Sequence, residues 1–461
     1  MKRFLWLGFV LFLYVICSGC GDTFRPIIIP NPPTFPDPRA AHTVLSINDN
    51  GTFVPGSAMV VDVSGDTDVS VKDVGLAPVH AVQQTANQIL VVNHSVTGAV
   101  ADSITKLTFN SVVISGTTTI SLPLNSAPNF VAVAPSDTTA YVTLPNLVPD
   151  PANFPNDNAV GVVSTLSNNL VATIKVGNNP FSLAVTPDKS KLYVANQGDS
   201  TIGGFNTIDR SPRVVVGSFN APLWLIARSD NQRVYVLNGN GVVSTIDTTS
   251  TAGPDNVIDH SISAPGAAYM FYDGHLNRLY IPGGSQLTML DVSPSIPQVL
   301  AGGPITIPTV APSSRGTADP CSLTSAQTLT VAAVAALPDG SRAYVGAYYE
   351  LSGNFCPQVT VIDVASNTVK SSIAVPGFPA YDALCSPTIP SPRVRFRLTM
   401  AAGGDSSRAY LASCDGGMVN IIDTSNDAYV LNLPAPIGSR LPIPPSQQNP
   451  PQNPVFLIAG P

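Results

Sequence analysis

Short apolar strands recur along the chain, and polar turns separate them. The stretch Lys191 to Asp209, KLYVANQGDSTIGGFNTID, holds an aromatic and aliphatic strand, a Gly-Asp turn and a second strand. Relatives of its first six residues recur as RVYVLN, RLYIPG, RAYVGA and RAYLAS. Val, Ile and Thr crowd these runs, as is typical of strands. No helical periodicity of useful length follows the first twenty residues, so an α-rich fold is excluded.

The recurring unit has four strands. An Ala-rich inner strand, often entered through Pro, comes first (PFSLAVTPD), and a strand with Tyr and an aliphatic residue follows (KLYVAN). A third strand often ends in Asp (VVSTID), and a fourth closes the unit (LVATIKVG). Successive tyrosines at 141, 193, 235 and 280 are 52, 42 and 45 positions apart. A period of this length predicts blades or solenoid turns.

The strands are apolar on both sides, which favours a β-propeller because each blade packs both faces against its neighbours. Blades converge at the axis, so small side chains are expected there: Ala132, Ala134, Ala184, Ala332, Ala333, Ala401 and Ala402. Aspartates at strand ends are expected to open tight turns by bonding their own following backbone. The predicted fold class is therefore all-β, a single propeller of four-stranded blades.

The motif YVAN at Tyr193 to Asn196 has a Pro-Asp turn before it and Ile-Asp after it, and the related YVTL at Tyr141 to Leu144 follows Pro-Ser-Asp. In this they resemble the bacterial YVTN-type β-propeller repeats, over roughly Leu76 to Pro434. The resemblance implies a propeller with an extracytoplasmic role, and it does not single out a function.

Seven complete units begin near Pro78, Pro128, Pro180, Pro222, Pro265, Thr328 and Arg397. Thr43 to Val74 reads as the second, third and fourth strands of a further unit that lacks its inner strand. The C-terminal PVFLIAGP has the form of an inner strand with nothing after it. We therefore predict eight blades, with the C-terminal strand completing the first. A seven-bladed ring with trailing ends is the alternative.

The N-terminus has the pattern of an export signal. Lys2 and Arg3 precede an apolar run from Phe4 to Ile16, which is shorter than the roughly 20 residues of a spanning helix. Cys20 follows small residues, and this resembles the bacterial lipoprotein signal, although Cys17 stands where Leu is usual. An ordinary cleaved signal or an uncleaved anchor stays open.

Three regions follow from this pattern. Residues 1–19 are predicted to be a lipoprotein signal peptide, residues 20–41 the lipidated Cys20 and a Pro-rich tether, and residues 42–461 the propeller. The expected location is the bacterial cell envelope, periplasmic or at the outer membrane or cell surface, with the membrane contacted through the lipid on Cys20. The tether is expected to enter the second strand of the first blade.

Four cysteines remain after Cys20, and an even number in an exported chain suggests disulfides. Cys321 and Cys385 precede the inner strands of consecutive units, while Cys356 and Cys414 lie in the connections between the second and third strands. These connections share one face of the ring. The expected pairs are Cys321 with Cys356 and Cys385 with Cys414.

The longest insertions also fall in connections on that face: LPNLVPDPANFPNDN and residues 301–327, 346–357, 377–392 and 437–453. We call it the loop face, and the opposite face, with the first-to-second and third-to-fourth connections, the turn face. Loops on rigid scaffolds carry binding, so an unidentified protein or small-molecule ligand is expected on the loop face, which should point away from the membrane.

Composition and motifs limit the classes of function that the chain can have. A net charge of -7 without a basic stripe excludes nucleic-acid binding. The histidines at 42, 80, 94, 260 and 275 are scattered, so no metal, cofactor or catalytic residue is assigned. No nucleophile elbow or phosphate-binding loop occurs.

The one unusual cluster is PRVRFRL, where Arg393, Arg395 and Arg397 alternate with apolar residues. They form a possible anion-binding site, but the favoured interpretation is that they pair with local carboxylates or are solvated at the strand entrance. In AAYMFYDG, Tyr269, Phe271 and Tyr272 are bulky where other units are small. They are expected to fill a widened channel, and the floor of a ligand pocket is the alternative.

The sequence thus predicts a lipid-anchored, extracytoplasmic propeller that acts as a binding or scaffold module without catalysis of its own. The rivals are a propeller enzyme, either a lactonase-like hydrolase or a quinone-cofactor dehydrogenase, and a surface-layer or adhesion protein.

Overall fold

A computed structural model describes residues 43–460, except 52, 96–99, 150–151, 153–156, 311–314, 316–318, 323–326, 380–384, 386–395 and 439–450. Over these residues the protein is all-β and contains 35 strands but no helix. The strands form eight sheets, each a blade with four principal positions from the inner strand to the outer edge. The predicted propeller and its count of eight blades are confirmed.

The first four blades have nearly regular antiparallel sheets. Blade 1 holds β1 (Thr43–Asp49), β2 (Pro55–Asp62) and β3 (Thr67–Leu76). Blade 2 holds β4 (Pro78–Thr85), β5 (Gln88–Asn93), β6 (Ser103–Asn110) and β7 (Val113–Ser121). Blade 3 holds β8 (Val131–Val133), β9 (Thr139–Leu144), β10 (Ala159–Ser164) and β11 (Asn169–Lys175). Blade 4 holds β12 (Pro180–Val185), β13 (Lys191–Asn196), β14 (Thr201–Asn206) and the short β15 (Pro212–Arg213).

The next two blades are less regular at their outer edges. The chain leaving blade 4 adds β16 (Val215–Val216) to blade 5, parallel to its outer strand. Blade 5 itself holds β17 (Pro222–Ala227), β18 (Arg233–Asn238), β19 (Val242–Asp247) and β20 (Asp255–Ser263). Blade 6 holds β21 (Phe271–Asp273), β22 (Arg278–Gly283), β23 (Gln286–Asp291), β24 (Gln298–Val299) and β25 (Ile305–Thr306).

The last two blades lead back to the first. Blade 7 holds β26 (Thr330–Ala336), β27 (Arg342–Leu351), β28 (Asn354–Asp363), β29 (Thr368–Ala374) and β30 (Phe378–Pro379). Blade 8 holds β31 (Leu398–Ala402), β32 (Arg408–Ser413), β33 (Met418–Asp423) and β34 (Ala428–Pro434). The final strand is β35 (Asn453–Ala459).

The C-terminal strand closes the ring. β35 pairs antiparallel with β1, with Val44 opposite Ala459 and Ile47 opposite Phe456, and so occupies the inner position of blade 1. The backbone amide of Gly460 also donates to the carbonyl of Thr43 at 2.8 Å. Because the first blade is built from both ends of the described chain, β1 has no free inner edge.

The recurring Tyr strand is the second strand of each blade, and it is buried from both sides. Its tyrosines are fully buried in five consecutive blades: Tyr193, Tyr235, Tyr280, Tyr344 and Tyr410. A strand inside a propeller blade has neighbouring blades on both faces, so its side chains cannot alternate between core and solvent. The repetition of the phrase follows from the repetition of this environment.

A cation two positions before each of these tyrosines ties its blade to the next one. Lys191 Nζ donates to Thr248 O at 2.5 Å, Arg278 Nη1 to Val364 O at 2.7 Å, and Arg408 Nε to Asp66 at 2.9 Å. In every case the acceptor lies in the third-to-fourth turn of the following blade. Arg233 and Arg342 contact Ser295 and Thr424 in the same way. The contact from Arg408 joins blade 8 to blade 1.

One of these joints holds a buried carboxylate. Asp255 has no exposed side-chain surface, and it accepts from Tyr193 Oη at 2.9 Å, Lys191 Nζ at 3.2 Å and Arg213 Nε at 2.9 Å. Tyr344 repeats the arrangement in blade 7, donating to Asp427 at 2.6 Å. Two cations at Asp255 keep the buried charge paired, which a buried carboxylate requires.

The strand-end aspartates open turns, as the sequence predicts. The carboxylates of Asp188, Asp230, Asp339 and Asp405 each accept the amide of the residue two positions later, at 2.9 to 3.1 Å. Partial burial raises the pKa of Asp188 and Asp230, but their hydrogen bonds outweigh it and the pKa of each is lowered. Thr186 and then the Ser190 amide favour the charged form of Asp188, and Arg228 and then the Gln232 amide favour that of Asp230.

Both predicted disulfides are present. Cys321 joins Cys356 with Cα atoms 5.5 Å apart, and Cys385 joins Cys414 with Cα atoms 5.7 Å apart. Each pair links the segment before an inner strand to the hairpin of the second and third strands of the same blade: Cys356 lies near the start of β28, and Cys414 lies in the turn between β32 and β33. The predicted insertion at residues 346–357 is corrected, since β27 and β28 continue through it as a long hairpin with Leu351 opposite Asn354.

Removing Val455 to Pro461 is predicted to destabilise the ring. Val455 and Leu457 are 2% and 4% exposed, so burying these two side chains alone contributes about 3–6 kcal/mol to the free energy of unfolding. Urea denaturation should show a loss of at least this size. As a control, Val430→Ala should change the free energy of unfolding by no more than about 0.5 kcal/mol, because Val430 lies on an outer strand and is 40% exposed. Equal stability of the truncated and intact proteins would contradict closure by β35.

Candidate functional site

Six aromatic side chains meet across the axis near the loop face. They are His80, Phe130, Trp224, Tyr269, Phe396 and Phe456, and we call them the aromatic layer. His80 stacks on Phe130 with ring centroids 4.0 Å apart, and Phe130 meets Trp224 edge-on at 5.1 Å. Trp224, Tyr269 and Phe396 lie 5.3 to 6.0 Å from one another. The contacts run around the axis. Three rings come from the inner strands β4, β17 and β35, and three come from the segments just before β8, β21 and β31.

The sequence places four of these rings by one rule. His80, Phe130, Trp224 and Phe456 each stand two positions after the proline that enters an inner strand, in PVH, PNF, PLW and PVF. In blade 4 the same position is Ser182. The expectation that the axis holds mainly small side chains is therefore corrected. The proline spacing was the available signal, and sequence reasoning missed it.

A chamber of about 590 Å³ lies between the aromatic layer and the turn face. Trp224, Tyr269, Phe396 and Phe456 form its floor, and aliphatic residues of four inner strands, β4, β26, β31 and β35, form most of its wall. Its rim consists of turns that follow the inner strands, including Asp273, Gly274 and His275. Because His275 is exposed, the chamber reaches the surface at this rim. A volume of this size is in the range that binds small molecules.

The predicted small residues contribute to this wall only in part. Ala401 and Ala402 line the chamber together with Ala81, Ala335 and Ala336. Ala333, by contrast, is fully buried between blades 7 and 8. The small side chains therefore create the chamber rather than fill the axis.

Three wall residues carry a buried polar atom that has no hydrogen-bond partner among the described residues: Gln83 Nε2, Asp273 Oδ2 and Thr399 Oγ1. They come from blades 2, 6 and 8. Leaving such an atom without a partner costs about 1–3 kcal/mol. Asp273 Oδ1 is satisfied, since it accepts the amide of His275 at 2.9 Å. Burial raises the pKa of Asp273, because desolvation disfavours its charged form.

His80 is held neutral inside the aromatic layer. Its ring lies 4.0 Å from Phe130 and 4.8 Å from Phe456, and its Nδ1 faces the amide of Val131 at 3.5 Å. Burial in these apolar surroundings lowers the pKa of His80 to about 3, because an imidazolium there would lose its water. His80 therefore acts as an aromatic packing residue at neutral pH.

A second recess of about 130 Å³ lies on the loop-face side of the layer. Tyr269 and Phe396 line both cavities, so these two rings separate them. Arg397 also lines the recess, where its Nε and Nη2 donate to Asp415 at 2.9 Å, and it is further paired with Glu350. Its guanidinium lies 4.8 Å from the ring centroid of Phe355. Arg393 and Arg395 lie outside the described residues, so the anion site stays a prediction.

The other candidates have defined places. Tyr269 joins the layer and its Oη accepts the amide of Val334, Phe271 packs on Tyr280 with centroids 6.1 Å apart, and Tyr272 Oη donates to Asn277 at 2.9 Å. Within the described ranges, no group of three or more His, Cys, Asp or Glu is placed to hold a metal ion. No helix with the length and apolar character to cross a bilayer is found in that part of the chain. Cys20 lies outside it.

Solved structures share this architecture. Apo AztD from Citrobacter koseri superposes with a TM-score of 0.55 at 10% identity, covering 90% of this chain and 96% of that one. Dihydro-heme d1 dehydrogenase NirN in complex with DHE gives 0.53 at 11% identity, covering 88% and 75%. A functionally unknown protein from Desulfotomaculum acetoxidans gives 0.50 at 11% identity, covering 72% and 95%. These likenesses show the propeller fold alone. No protein-family profile and no curated protein sequence matches this chain.

Acidification is predicted to weaken the fold through His80. The folded state keeps His80 neutral down to about pH 3, whereas an unfolded histidine takes up a proton near pH 6.5. The unfolded chain therefore binds more protons than the folded protein in this window. The contribution of the neutral His80 to the free energy of unfolding is present in full above pH 6.5 and is lost as the pH falls. The free energy of unfolding should decrease by up to about 1.4 kcal/mol per pH unit from this residue.

The measurement compares wild type with His80→Phe by urea denaturation at pH 7, 6, 5 and 4.5. The difference in the free energy of unfolding should shift in favour of the variant as the pH drops. His275→Asn, at an exposed position, serves as the matched control and should follow wild type. A difference between wild type and His80→Phe that does not change with pH would contradict the account.

Proposed function

We propose that the protein is a lipid-anchored, extracytoplasmic binding module that takes a small, mainly apolar molecule into the axial chamber and performs no chemistry on it. The observation that carries this proposal is the 590 Å³ chamber, with its aromatic floor, aliphatic wall and small number of polar groups. Binding sites for small molecules have this composition. Unpartnered polar atoms at Gln83, Asp273 and Thr399 support it, since a ligand can supply partners after small side-chain rotations.

The cellular location in this proposal rests on two features. The two disulfides are consistent with an oxidising, extracytoplasmic compartment. The N-terminal sequence supplies the rest, with residues 1–19 as a lipoprotein signal, Cys20 as the lipidated residue and residues 21–41 as a tether to the propeller. We also assign the repeats to the YVTN type, on the motifs at Tyr141 and Tyr193. A protein partner on the loop face remains part of the proposal.

Lipidation at Cys20 has a direct test. Cells that express the full chain and are grown with radiolabelled palmitate should yield a labelled protein in the membrane fraction. Cys20→Ala should lose the label, while Cys17→Ala should keep it. Equal labelling of the Cys20→Ala variant and wild type would contradict the lipid anchor.

Filling the chamber is predicted to abolish binding. Ala402 is half-buried in the chamber wall, and Ala402→Trp places an indole in the space a ligand needs. The uncharged fluorophore N-phenyl-1-naphthylamine should bind wild type at one per chain and lose at least tenfold in affinity to Ala402→Trp. Ala252→Trp, the same change at an exposed position, should bind like wild type. Unaltered binding to a folded Ala402→Trp variant would contradict the chamber as the site.

A propeller enzyme is the second candidate, and Asp273 is the observation that favours it. A carboxyl group with a raised pKa and an unpartnered oxygen at the rim of a cavity is a candidate acid or base. Metal analysis of the purified protein separates the lactonase-like and quinone-dependent forms of this candidate from the binding module. A stoichiometric, tightly held calcium or transition-metal ion would count against our choice.

A further inference from the structure

We propose that the chamber ligand is a single-chain amphiphile, whose hydrocarbon tail lies against the aromatic layer and whose uncharged, hydroxyl-bearing head lies at the turn-face rim. This inference rests on the proposed function and adds the chemical class of its ligand. It follows from the shape of the floor, the chemistry of the rim and the position of the mouth.

The chamber is mainly apolar at depth and carries its titratable groups at its mouth. Phe456 and Trp224 form the floor, and the wall between floor and rim includes Val334, Met400 and Ile458. The chamber's acidic and basic residues, Asp273 and His275, both belong to one turn at the rim. A molecule that matches this gradient has one long apolar part and one polar end.

The floor favours a flexible chain over a flat ring system. Ring planes in the layer cross at 86° for Phe130 and Trp224, 70° for Trp224 and Phe396, and 61° for Tyr269 and Phe396. A planar polycyclic ligand is best held in a slot between parallel walls, where both of its faces stack. Edge-to-face rings offer no such slot, whereas a hydrocarbon chain adapts to an irregular apolar surface.

The rim selects against an anionic head. The described lining of the chamber contains neither Lys nor Arg, and Asp273 is its carboxylic acid. A carboxylate or phosphate head close to Asp273 would meet another acceptor, and the lining offers no Lys or Arg to bind it, because the nearby Arg278 does not line the chamber. A hydroxyl group instead donates to Asp273 Oδ2, an atom that has no partner among the described residues.

The mouth opens on the side from which the N-terminal segment arrives. Gly460 lines the chamber, and its amide bonds Thr43, the first described residue of β1. A lipid on Cys20 leaves 22 residues before Thr43, which span about 70 Å if they are extended like polyproline. Under the proposed function, the anchor thus attaches at the face on which the mouth opens, and single-chain lipids of that membrane lie within reach of the tether.

The test is a titration with saturated 1-monoacylglycerols of 8 to 18 carbons, each below its micellar concentration. The full chain with Trp6→Phe keeps Trp224 as its only tryptophan, so emission from the chamber floor reports binding. The protein is held in an amphipathic polymer in place of detergent. Fatty acids and alkyltrimethylammonium ions of equal chain length test whether a charged head group is accepted, and pyrene tests whether a flat ring system is accepted.

The affinity for monoacylglycerols should rise about fourfold for each added methylene, equivalent to ~0.8 kcal/mol, and level off once the chamber is full. Fatty acids of equal length should bind at least tenfold more weakly, and Asp273→Asn should reduce this discrimination. Ala402→Trp and Ala252→Trp add a second tryptophan, so binding to these variants is measured by calorimetry. Ala402→Trp should abolish binding, and Ala252→Trp should not.

Each other outcome overturns a defined part. If the affinity does not depend on chain length, or if pyrene binds more tightly than every chain, the proposed ligand class is wrong. If Ala402→Trp still blocks this binding, the proposed function stands. Fatty acids binding as well as monoacylglycerols overturn the uncharged head. If no probe binds in a way that Ala402→Trp blocks, the proposed function falls together with the inference.

Discussion

The geometry of ring closure is the constraint on which the structure depends. Each blade is apolar on both faces and is buried only between two neighbours, so the sheets must close into a circle. With eight blades, the inner strands stand too far apart for their small side chains to meet. Six rings of the aromatic layer span the axis near the loop face, and the remainder stays open as the chamber. The cavity is thus a consequence of blade number combined with alanine-rich inner strands.

Contacts between blades repeat as regularly as the blades themselves. The cation at the start of the second strand reaches the third-to-fourth turn of the next blade at five consecutive joints, and Arg408 carries the series across to blade 1 through Asp66. At the joint of blades 4 and 5 the acceptor set includes the buried Asp255, whose charge is balanced by Lys191 and Arg213. These contacts give the joints polar specificity that apolar packing alone does not supply.

The ring could be predicted from the sequence because each blade carries similar strand and turn motifs, and these motifs repeat along the chain. Closure by β35 followed from an inner-strand motif without a partner, and the disulfide pairs followed from equivalent places in two units. The aromatic layer was missed because the direction of His80, Phe130 and Trp224 depends on the register at which each proline enters its sheet. The chamber depends on distances across the axis, between residues such as Ala81 and Ala402, and no spacing along the chain reports these. The carboxylate pairing favoured from the sequence is present for Arg397, but its partners could not be named, because Asp415 lies in the turn after β32 and Glu350 lies in blade 7.

The account reduces to one claim, that the space left at the axis by eight blades is a binding site. A crystal structure of the protein soaked with a monoacylglycerol brominated at the end of its tail tests this most directly, because anomalous scattering locates the bromine without interpretation of the chain. The account predicts one bromine peak per protein, within van der Waals distance of Phe456, Trp224 or Phe396. A chamber that holds only ordered water under saturating ligand, with bromine bound elsewhere or not at all, would contradict it.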